Sequence, residues 1–438
     1  MIVVPFFSAW HAPLVEAALS AGGEECRVLA AGGEEVVRAG LETVNNDACY
    51  AALLAAGRTV GFLREGAAAG AALAGRGTCL PKQRMHARPA AARPGVDLAH
   101  GEAAQPMAEK PLGPLADPVA GPLRVAVPTP CVRCRGDDAP YLLAQALAAS
   151  GLEARASVIS GTDALEALAA DARAAARLAD ALAFGDALLQ ARLRVRPYTR
   201  PADAPVFDAL LAASSARACR ALAANAFVLE GSLRAFGAAL AGFGVSERDG
   251  RPIVGVVGAA PAVFDERMNA GLVACIEREG CEAALPYLLP LASAALREKG
   301  AAVPLHAALD ERCRVLQRHA GACLRCPTVQ DLERAGTEVV PRFLVQGAGW
   351  TIAGSALLFV RAGVRDLVYA RAFGCLAGHV VGQGAIKPLR TWCAADGVDA
   401  NIATIEVDPG TSEVNQVNRI KLMTAVAKRA AARRRSNP

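Results

Sequence analysis

The fold is decided by a stretch that reads DLVYARAFGCLAGH from Asp366 to His379. Its first residues form a short apolar run, which predicts a buried β-strand, and a glycine-containing turn with Cys375 follows. His379 lies shortly after that cysteine, where we expect a helix to begin. The stretch therefore predicts a strand that enters a cysteine-bearing loop and continues into a helix.

Two other segments repeat this arrangement of a polar or glycine-rich entry, a cysteine and a helical pattern. Residues 44–50 read VNNDACY and contain Cys49, and residues 131–138 read CVRCRGDD and contain Cys134. In an open α/β sheet such junctions gather at the carboxyl edge of the strands, where ligands bind, and helix N-termini lower thiol pKa values. We therefore expect Cys49, Cys134 and Cys375 to meet. Three thiolates would suit an iron–sulfur cluster with one iron left open.

Short apolar runs alternate with helical patterns along the chain. Strands are predicted at Ile2–Phe7, Glu25–Leu29, Leu123–Val127, Val158–Ser160, Pro252–Gly258, Glu282–Leu285, Asp366–Ala370 and Ile402–Val407. Helices are predicted at Ala12–Ala21, Ala48–Leu63 and Tyr141–Ala149, through most of 163–245, and at Asn269–Glu279, 289–299, 308–325 and Ser412–Ala432. The alternation predicts an α/β fold with two Rossmann-like parallel-sheet halves and a helical segment between them.

The domain organisation follows from this pattern. We expect an N-terminal α/β domain at 1–74 and 123–162, a helical segment at 163–250, a C-terminal α/β domain at 251–428 and a basic tail at 429–438. Residues 75–122 are rich in Pro, Ala and Arg without an apolar period, which predicts an insertion or a disordered loop.

Composition limits the class of protein. The chain has 438 residues, of which 53% are hydrophobic, but charges such as Glu230 and Arg234 interrupt its most apolar windows, so no membrane span is expected. The start lacks the charged region of a signal peptide, and we expect a cytoplasmic protein. The net charge of +5 is modest, and no basic face with interleaved aromatics predicts nucleic-acid binding. Thirteen cysteines without a secretory signal favour metal or redox chemistry over disulfides.

Two long motifs carry a family resemblance. FGCLAGHVVGQGAIK at 373–387 and EVDPGTSEVNQVNRIKL at 406–422 closely resemble the 2-hydroxyacyl-CoA dehydratase component superfamily, in particular the dehydratase-like, non-ATPase half of the CoA-substrate-specific enzyme activase proteins. Residues 44–50 match the first cysteine motif of that branch, and Cys134-Arg135 matches the second. The resemblance covers nearly all of the chain except 75–122 and the tail.

The resemblance implies a cofactor, partners and site residues. It implies a [4Fe-4S] cluster on Cys49, Cys134 and Cys375, an electron from a separate ATP-hydrolysing activator protein, and an acyl-CoA substrate. In true dehydratases that electron forms a ketyl radical of a 2-hydroxyacyl-CoA, so that water can leave. Candidates for residues surrounding the cluster are His379, Asn46 and Arg135. A homo- or hetero-oligomer is compatible with this reading.

Several alternatives stay open at this point. Cys131 could replace Cys134 or act as a fourth ligand, which would close the site and leave a non-catalytic electron-transfer or scaffold protein. The pairs Cys131/Cys134 and Cys323/Cys326 could instead bind zinc in a structural protein. A cysteine hydrolase would need a histidine partner, such as His11 or His379. The enzyme class is open between a lyase and a reductive enzyme component.

Overall fold

The structure is a computed structural model that describes residues 1–30, 32–74, 123–128, 133–243, 250–319, 325–344, 346–410 and 413–436. The predicted insertion at 75–122 lies outside these ranges, as do Cys131, Cys323 and the last two residues of the predicted basic tail.

All eight predicted strands are present, with small shifts of their ends. They are β1 (Ile2–Pro5), β2 (Cys26–Leu29), β3 (Leu123–Val127), β4 (Ala156–Ser160), β5 (Ile253–Gly258), β6 (Glu282–Ala284), β7 (Asp366–Ala372) and β8 (Asn401–Val407). They form two four-stranded sheets, in the orders β2-β1-β3-β4 and β6-β5-β7-β8. Every pairing is parallel. The predicted mixed α/β fold with parallel sheets is therefore confirmed.

The helices connect and cover these strands. Those before β5 are α1 (Ala12–Ser20), α2 (Glu34–Thr43), α3 (Tyr50–Ala74), α4 (Ala139–Ala149), α5 (Gly161–Ala169), α6 (Ala172–Val195), α7 (Ala204–Ala223) and α8 (Leu229–Ala241). Those after β5 are α9 (Ala260–Phe264), α10 (Leu272–Arg278), α11 (Leu288–Lys299), α12 (Val303–His319), α13 (Val329–Val339), α14 (Trp350–Arg361), α15 (Gln383–Ala395) and α16 (Glu413–Ser436). The mostly helical stretch predicted between the two α/β units corresponds to α5–α8.

Each sheet is preceded at its third strand by a tight helical hairpin. Helices α2 and α3 lead into β3, and a Cβ added to Gly57 would lie 2.0 Å from the Val36 carbonyl oxygen. Helices α13 and α14 lead into β7, and a Cβ added to Gly354 would lie 2.4 Å from the Leu332 carbonyl oxygen. In both hairpins, glycine lets one helix backbone approach the other. The two halves thus share strand order and a helical hairpin.

The core connects the halves. One cluster of buried side chains runs from Leu14 on α1 and Leu53 on α3, through Leu188 on α6, to Val256 on β5 and Trp350 on α14. A separate cluster fills the other side of the first sheet. Because burial of apolar side chains is the main stabilising contribution, the shared cluster fixes the first sheet relative to the second.

Some predicted elements need correction. Helix α3 begins at Tyr50 and runs to Ala74, whereas the sequence predicted Ala48–Leu63. Helix α12 begins at Val303, earlier than expected, and α2, α9, α13 and α14 were not predicted. The helix expected to begin near His379 corresponds to a π-helical turn, Ala377–Gly382, that continues into α15. Cys26 lies on strand β2, within the strand predicted at Glu25–Leu29. Among the described residues, no helix combines the length and the apolar character needed to cross a membrane.

Candidate functional site

Cys49 lies immediately before α3. The chain reaches it through an Asx turn, in which the Asn45 Oδ1 accepts the Asp47 backbone N–H at 2.9 Å. The Cys49 side chain is buried, and the backbone N–H groups of Ala51 and Ala52 donate to its sulfur. Its thiol therefore lies at the N-terminus of a long helix, as predicted.

Cys134 lies between β3 and α4. It precedes a 3-10 turn, Arg135–Asp138, and donates its backbone N–H to the Asp137 carboxylate at 3.1 Å in a capping box. Arg133, just before it, has φ +49°, a conformation that is uncommon for a residue other than glycine. Such backbone strain persists only where the surrounding structure enforces it. The Cys134 side chain is buried.

Cys375 follows the carboxyl end of β7. Gly374 enters the turn at φ +73°, where a side chain is disfavoured, and a π-helical turn, Ala377–Gly382, follows the cysteine. The Gly378 backbone N–H donates to the Cys375 Sγ at 3.3 Å. Hence this third thiol also accepts backbone N–H groups from the start of a helical segment.

The three cysteine loops contact one another. The Tyr50 backbone N–H donates to the Phe373 carbonyl oxygen at 3.4 Å, which joins the Cys49 loop to the Cys375 loop. The Arg135 guanidinium donates to the Asp47 carbonyl oxygen, which joins the Cys134 loop to them. A Cβ added to Gly374 would lie 3.3 Å from the Cys49 Cα and 3.3 Å from the Arg135 Nη1. The backbone thus brings the three predicted loops to one place.

The neighbouring thiols also affect one another's pKa values. Burial raises the pKa of Cys375 to about 12, and the neighbouring Cys49 and Cys134 sulfurs raise it as well, while the Gly378 N–H lowers it. Burial also raises the pKa of Cys49, against the lowering effect of its backbone donors and of Arg135. The sequence predicted lowered thiol pKa values at helix N-termini; the N–H groups act in that direction, but burial outweighs them. Without a cation these thiols hold their protons, so metal binding there would release protons.

The other predicted site residues divide into two groups. Arg135 lies in the cluster of loops, and its charge acts on Cys49. The backbone N–H of His379 donates to the Cys375 carbonyl oxygen at 2.9 Å, and its Nε2 lies 3.3 Å from the Glu406 Oε1. Asn46 is exposed. Thus the Arg135 charge acts on a thiol, the His379 ring faces Glu406, and the Asn46 side chain faces solvent at the entry to the Cys49 loop.

His11, considered as the base of a cysteine hydrolase, is engaged elsewhere. Its Nδ1 lies 2.7 Å from the Ser8 Oγ, and its Nε2 lies 3.2 Å from the Asp186 Oδ1. Asp186 also accepts the backbone N–H groups of Leu288 and Leu289, at 2.8 and 3.0 Å. All three polar side chains are buried. This network connects the loop between β1 and α1 to α6 and α11, and it leaves no ring nitrogen of His11 directed at a candidate cysteine.

A buried ion pair lies further along α3, and the sequence did not predict it. The Arg58 Nη2 donates to the Asp265 Oδ2 at 2.7 Å, with 5% and 3% of the two side chains exposed. The Arg58 Nη1 also donates to the Phe6 carbonyl oxygen at 3.1 Å. The pair connects α3, which begins beside Cys49, to the loop after α9 in the second half. Nothing in the sequence marks it, because its partners are 207 positions apart.

A bound metal ion would need several donor side chains around one point. Within the ranges that the structure describes, no group of three or more His, Cys, Asp or Glu side chains is arranged so that it could hold a metal ion. Cys131 and Cys323 lie outside those ranges, so the zinc pairs stay a prediction. The three thiols lie near one another but do not form the tight shell of a single ion.

No protein-family model matches the chain, and no curated protein matches it. The functional argument therefore depends on the residues of the three cysteine loops. What they offer chemically is a buried cluster of soft sulfur donors, each at the start of a helical segment and supplied from both halves of the molecule.

Proposed function

We propose that Cys49, Cys134 and Cys375 hold a [4Fe-4S] cluster, and that the protein is a 2-hydroxyacyl-CoA dehydratase- or reductase-like component that receives low-potential electrons from an ATP-hydrolysing activator. The observation that carries the proposal is the convergence of three buried thiols on one place, although they come from distant parts of the sequence. Soft thiolate donors favour iron–sulfur clusters among the metal groups of proteins.

A cluster and a zinc ion place different demands on the spacing of their cysteine ligands. A tetrahedral zinc ion holds every sulfur at about 2.3 Å from one centre. Each cysteine of an iron–sulfur cluster instead binds a different iron, so its sulfurs lie further apart. The mutual effect of the three thiols on their pKa values places them near one another, and metal analysis decides between a cluster and zinc.

The surrounding residues have definite roles in this proposal. The backbone N–H groups of Ala51, Ala52 and Gly378 would donate to the cluster sulfurs, and hydrogen bonds of this kind raise the reduction potential by stabilising the added electron. Arg135 would offset part of the negative charge of the thiolates. Burial of all three cysteines excludes water, which protects a low-potential centre.

A bound cluster with three cysteine ligands supplies one-electron chemistry and one iron open to a substrate oxygen. We infer an acyl-CoA as that substrate from the motif resemblance at 373–387 and 406–422. The protein residues would then position the thioester and keep the site dry.

We also infer that the two α/β halves are Rossmann-like. In each sheet the first strand lies between the second and the third, so the chain leaves in opposite directions on either side of it. Ligands of doubly wound sheets bind at the carboxyl ends beside this switch point. Cys134 follows β3 and Cys375 follows β7, which are the third strands of their sheets.

The test uses the full chain, reconstituted anaerobically with iron and sulfide and then reduced. Addition of a 2-hydroxyacyl-CoA should change the electron paramagnetic resonance spectrum of the reduced cluster, because an open iron accepts a substrate oxygen. A cluster whose spectrum stays unchanged when an acyl-CoA is added would contradict the enzymatic role and support the electron-transfer alternative.

Cys131 offers the matched variant for this test. Cys131→Ser should leave the cluster and its response to acyl-CoA unchanged if Cys134 is the ligand. If Cys131→Ser creates a response that the unaltered chain lacks, Cys131 is a fourth ligand and the site is closed. Loss of the cluster in Cys131→Ser but not in Cys134→Ser would overturn the assignment of Cys134.

A further inference from the structure

A cavity lies away from the cysteines, among α11, α13 and α14 beside the edge strand β6. Its volume is about 470 Å³. Its walls are mainly apolar, with Leu285, Pro290, Leu291, Leu358 and Phe359 among the lining residues. A cavity of this size and lining is typical of sites for small organic ligands.

The charged residues of the cavity are predominantly basic. Arg325, Arg334 and Arg361 line it together with one acid, Asp331. The Asp331 carboxylate accepts the Thr328 backbone N–H at 3.0 Å, the Thr328 hydroxyl at 2.8 Å and the Arg334 guanidinium at 3.3 Å, and Arg361 pairs with Glu338. Among the described residues Arg325 donates to the uncharged Gln317 side chain, so its guanidinium leaves a positive charge at the cavity that favours an anion.

The cavity is separate from the cysteine site. Ala284 on β6 and Leu367 on β7 both pair with Gly255, so they lie at the same height in the second sheet. Leu285 follows Ala284 directly and lines the cavity, whereas β7 continues from Leu367 to Ala372 before the Cys375 turn. At about 3.3 Å per residue this part of β7 spans about 16 Å. One ligand in this cavity would therefore not touch the thiols.

We propose that this cavity binds an aliphatic carboxylate of medium chain length. The apolar walls would cover the hydrocarbon chain, and the guanidinium groups would bind the carboxylate, for which arginine has a matching geometry. The charge of the lining argues for an acid rather than an alcohol or an amine. The proposal does not depend on the cluster, because no cysteine assigned to the cluster lines the cavity.

The protein contains a reporter for this site. Arg361 lies over the Trp392 ring, with its guanidinium carbon 5.3 Å from the ring centroid, and pairs with Glu338. A carboxylate that draws Arg361 into the cavity would change this stacking and hence the fluorescence of Trp392. The chain has only three tryptophans, so the change should be measurable.

The experiment titrates the full chain with sodium octanoate and follows tryptophan fluorescence and heat of binding. Octanoate should bind saturably. 1-Octanol should bind about tenfold more weakly because it lacks the carboxylate, and acetate should bind without saturation because it lacks the hydrocarbon chain. Trp392→Phe should remove the fluorescence change but retain the heat. Equal binding of octanoate and octanol, or no saturable binding of octanoate, would overturn the proposal.

Charge changes at the mouth sharpen the test without disturbing the core. Ala362 is exposed, caps the end of α14 and lines the cavity. Ala362→Glu should weaken octanoate binding about tenfold, and Ala362→Lys should strengthen it about threefold. Arg217→Gln, an exposed change on α7 far from the cavity, should leave binding unchanged. Identical affinities in the two Ala362 variants would also overturn the proposal.

Discussion

The two sheets have the same strand order, yet they contribute differently to the candidate site. Cys134 follows β3 and Cys375 follows β7, at equivalent positions. The hairpin before β3 also delivers Cys49 at the start of α3. The hairpin before β7 begins α14 after Gly347 instead, and a Cβ there would lie 2.8 Å from the Ala377 Cβ. The repeated helical hairpin thus supplies a cysteine in the first half and a close packing contact in the second.

This asymmetry makes the site depend on how the halves are joined. Two of the thiols belong to the first half and one to the second, so neither half contains all three proposed cysteine ligands. Interactions that fix one half against the other should therefore govern cluster binding as much as the cysteines do.

The largest effect should come from breaking the ion pair between the halves. Arg58→Met leaves the Asp265 carboxylate buried without its partner, and loss of one partner of a buried pair costs about 3–5 kcal/mol. Urea unfolding should show this loss, and iron content should fall with it, because α3 carries Cys49.

Arg64 supplies the control on the same helix. It pairs with Glu42, but 46% and 50% of the two side chains are exposed, so Arg64→Met should change stability by only about 0–1 kcal/mol. The double variant Arg58→Met/Asp265→Leu should recover much of the stability lost in Arg58→Met. Equal losses in Arg58→Met and Arg64→Met would show that the buried pair does not join the halves.

A smaller effect should follow from separating a hairpin. Gly57→Ala places a Cβ 2.0 Å from the Val36 carbonyl oxygen, so α2 and α3 must move apart. Overpacking of this kind costs about 1–3 kcal/mol. Gly354→Ala should cost a similar amount in the second half, because its Cβ would lie 2.4 Å from the Leu332 carbonyl oxygen. Thermal unfolding measures both.

Gly61 lies one turn beyond Gly57 on α3 and has no atom within 4 Å of an added Cβ. Gly61→Ala should therefore stabilise the protein by about 0.5–1 kcal/mol, since alanine restricts the unfolded chain more than glycine does. If Gly57→Ala also raises the unfolding temperature, the hairpin is looser than its backbone distances indicate.

The smallest change in stability should have the most local effect on the site. Gly374→Ala forces a side chain into a left-handed turn at φ +73°, which costs about 1–2 kcal/mol. The new Cβ would also lie 3.3 Å from the Cys49 Cα, so iron content after reconstitution should fall by about half or more.

Gly363→Ala carries the same backbone penalty, at φ +85°, with nothing within 4 Å of the added Cβ. It should lower stability by a similar amount but retain iron. Equal iron content in the two variants would show that the approach of the Cys375 loop to Cys49 is not required.

The sequence predicted the strands better than the helices. Runs such as Ile253–Gly258 combine β-branched residues with flanking turn signals, so each strand is recognisable locally. Helix α14 is apolar on nearly every side because it is buried, which removes the period that identifies a helix.

The Cys134 and Cys375 loops could be predicted because each follows a parallel strand, and such strands end at a common edge. Cys49 was expected at the same kind of junction but lies between α2 and α3. The contacts of these loops could not be predicted. The Arg58–Asp265 pair and the Arg135–Asp47 contact join segments far apart in sequence, and the raised pKa of Cys375 depends on how deeply the fold buries it. Such features arise only when the two halves pack together.

Iron and sulfide quantification on anaerobically prepared protein tests the central claim most directly. The account predicts about four of each per chain with absorbance near ~400 nm, lost in Cys49→Ser, Cys134→Ser and Cys375→Ser but retained in Cys219→Ser, whose cysteine lies on α7. A chain that binds no iron, or three cysteine variants that all keep the full absorbance, would contradict it.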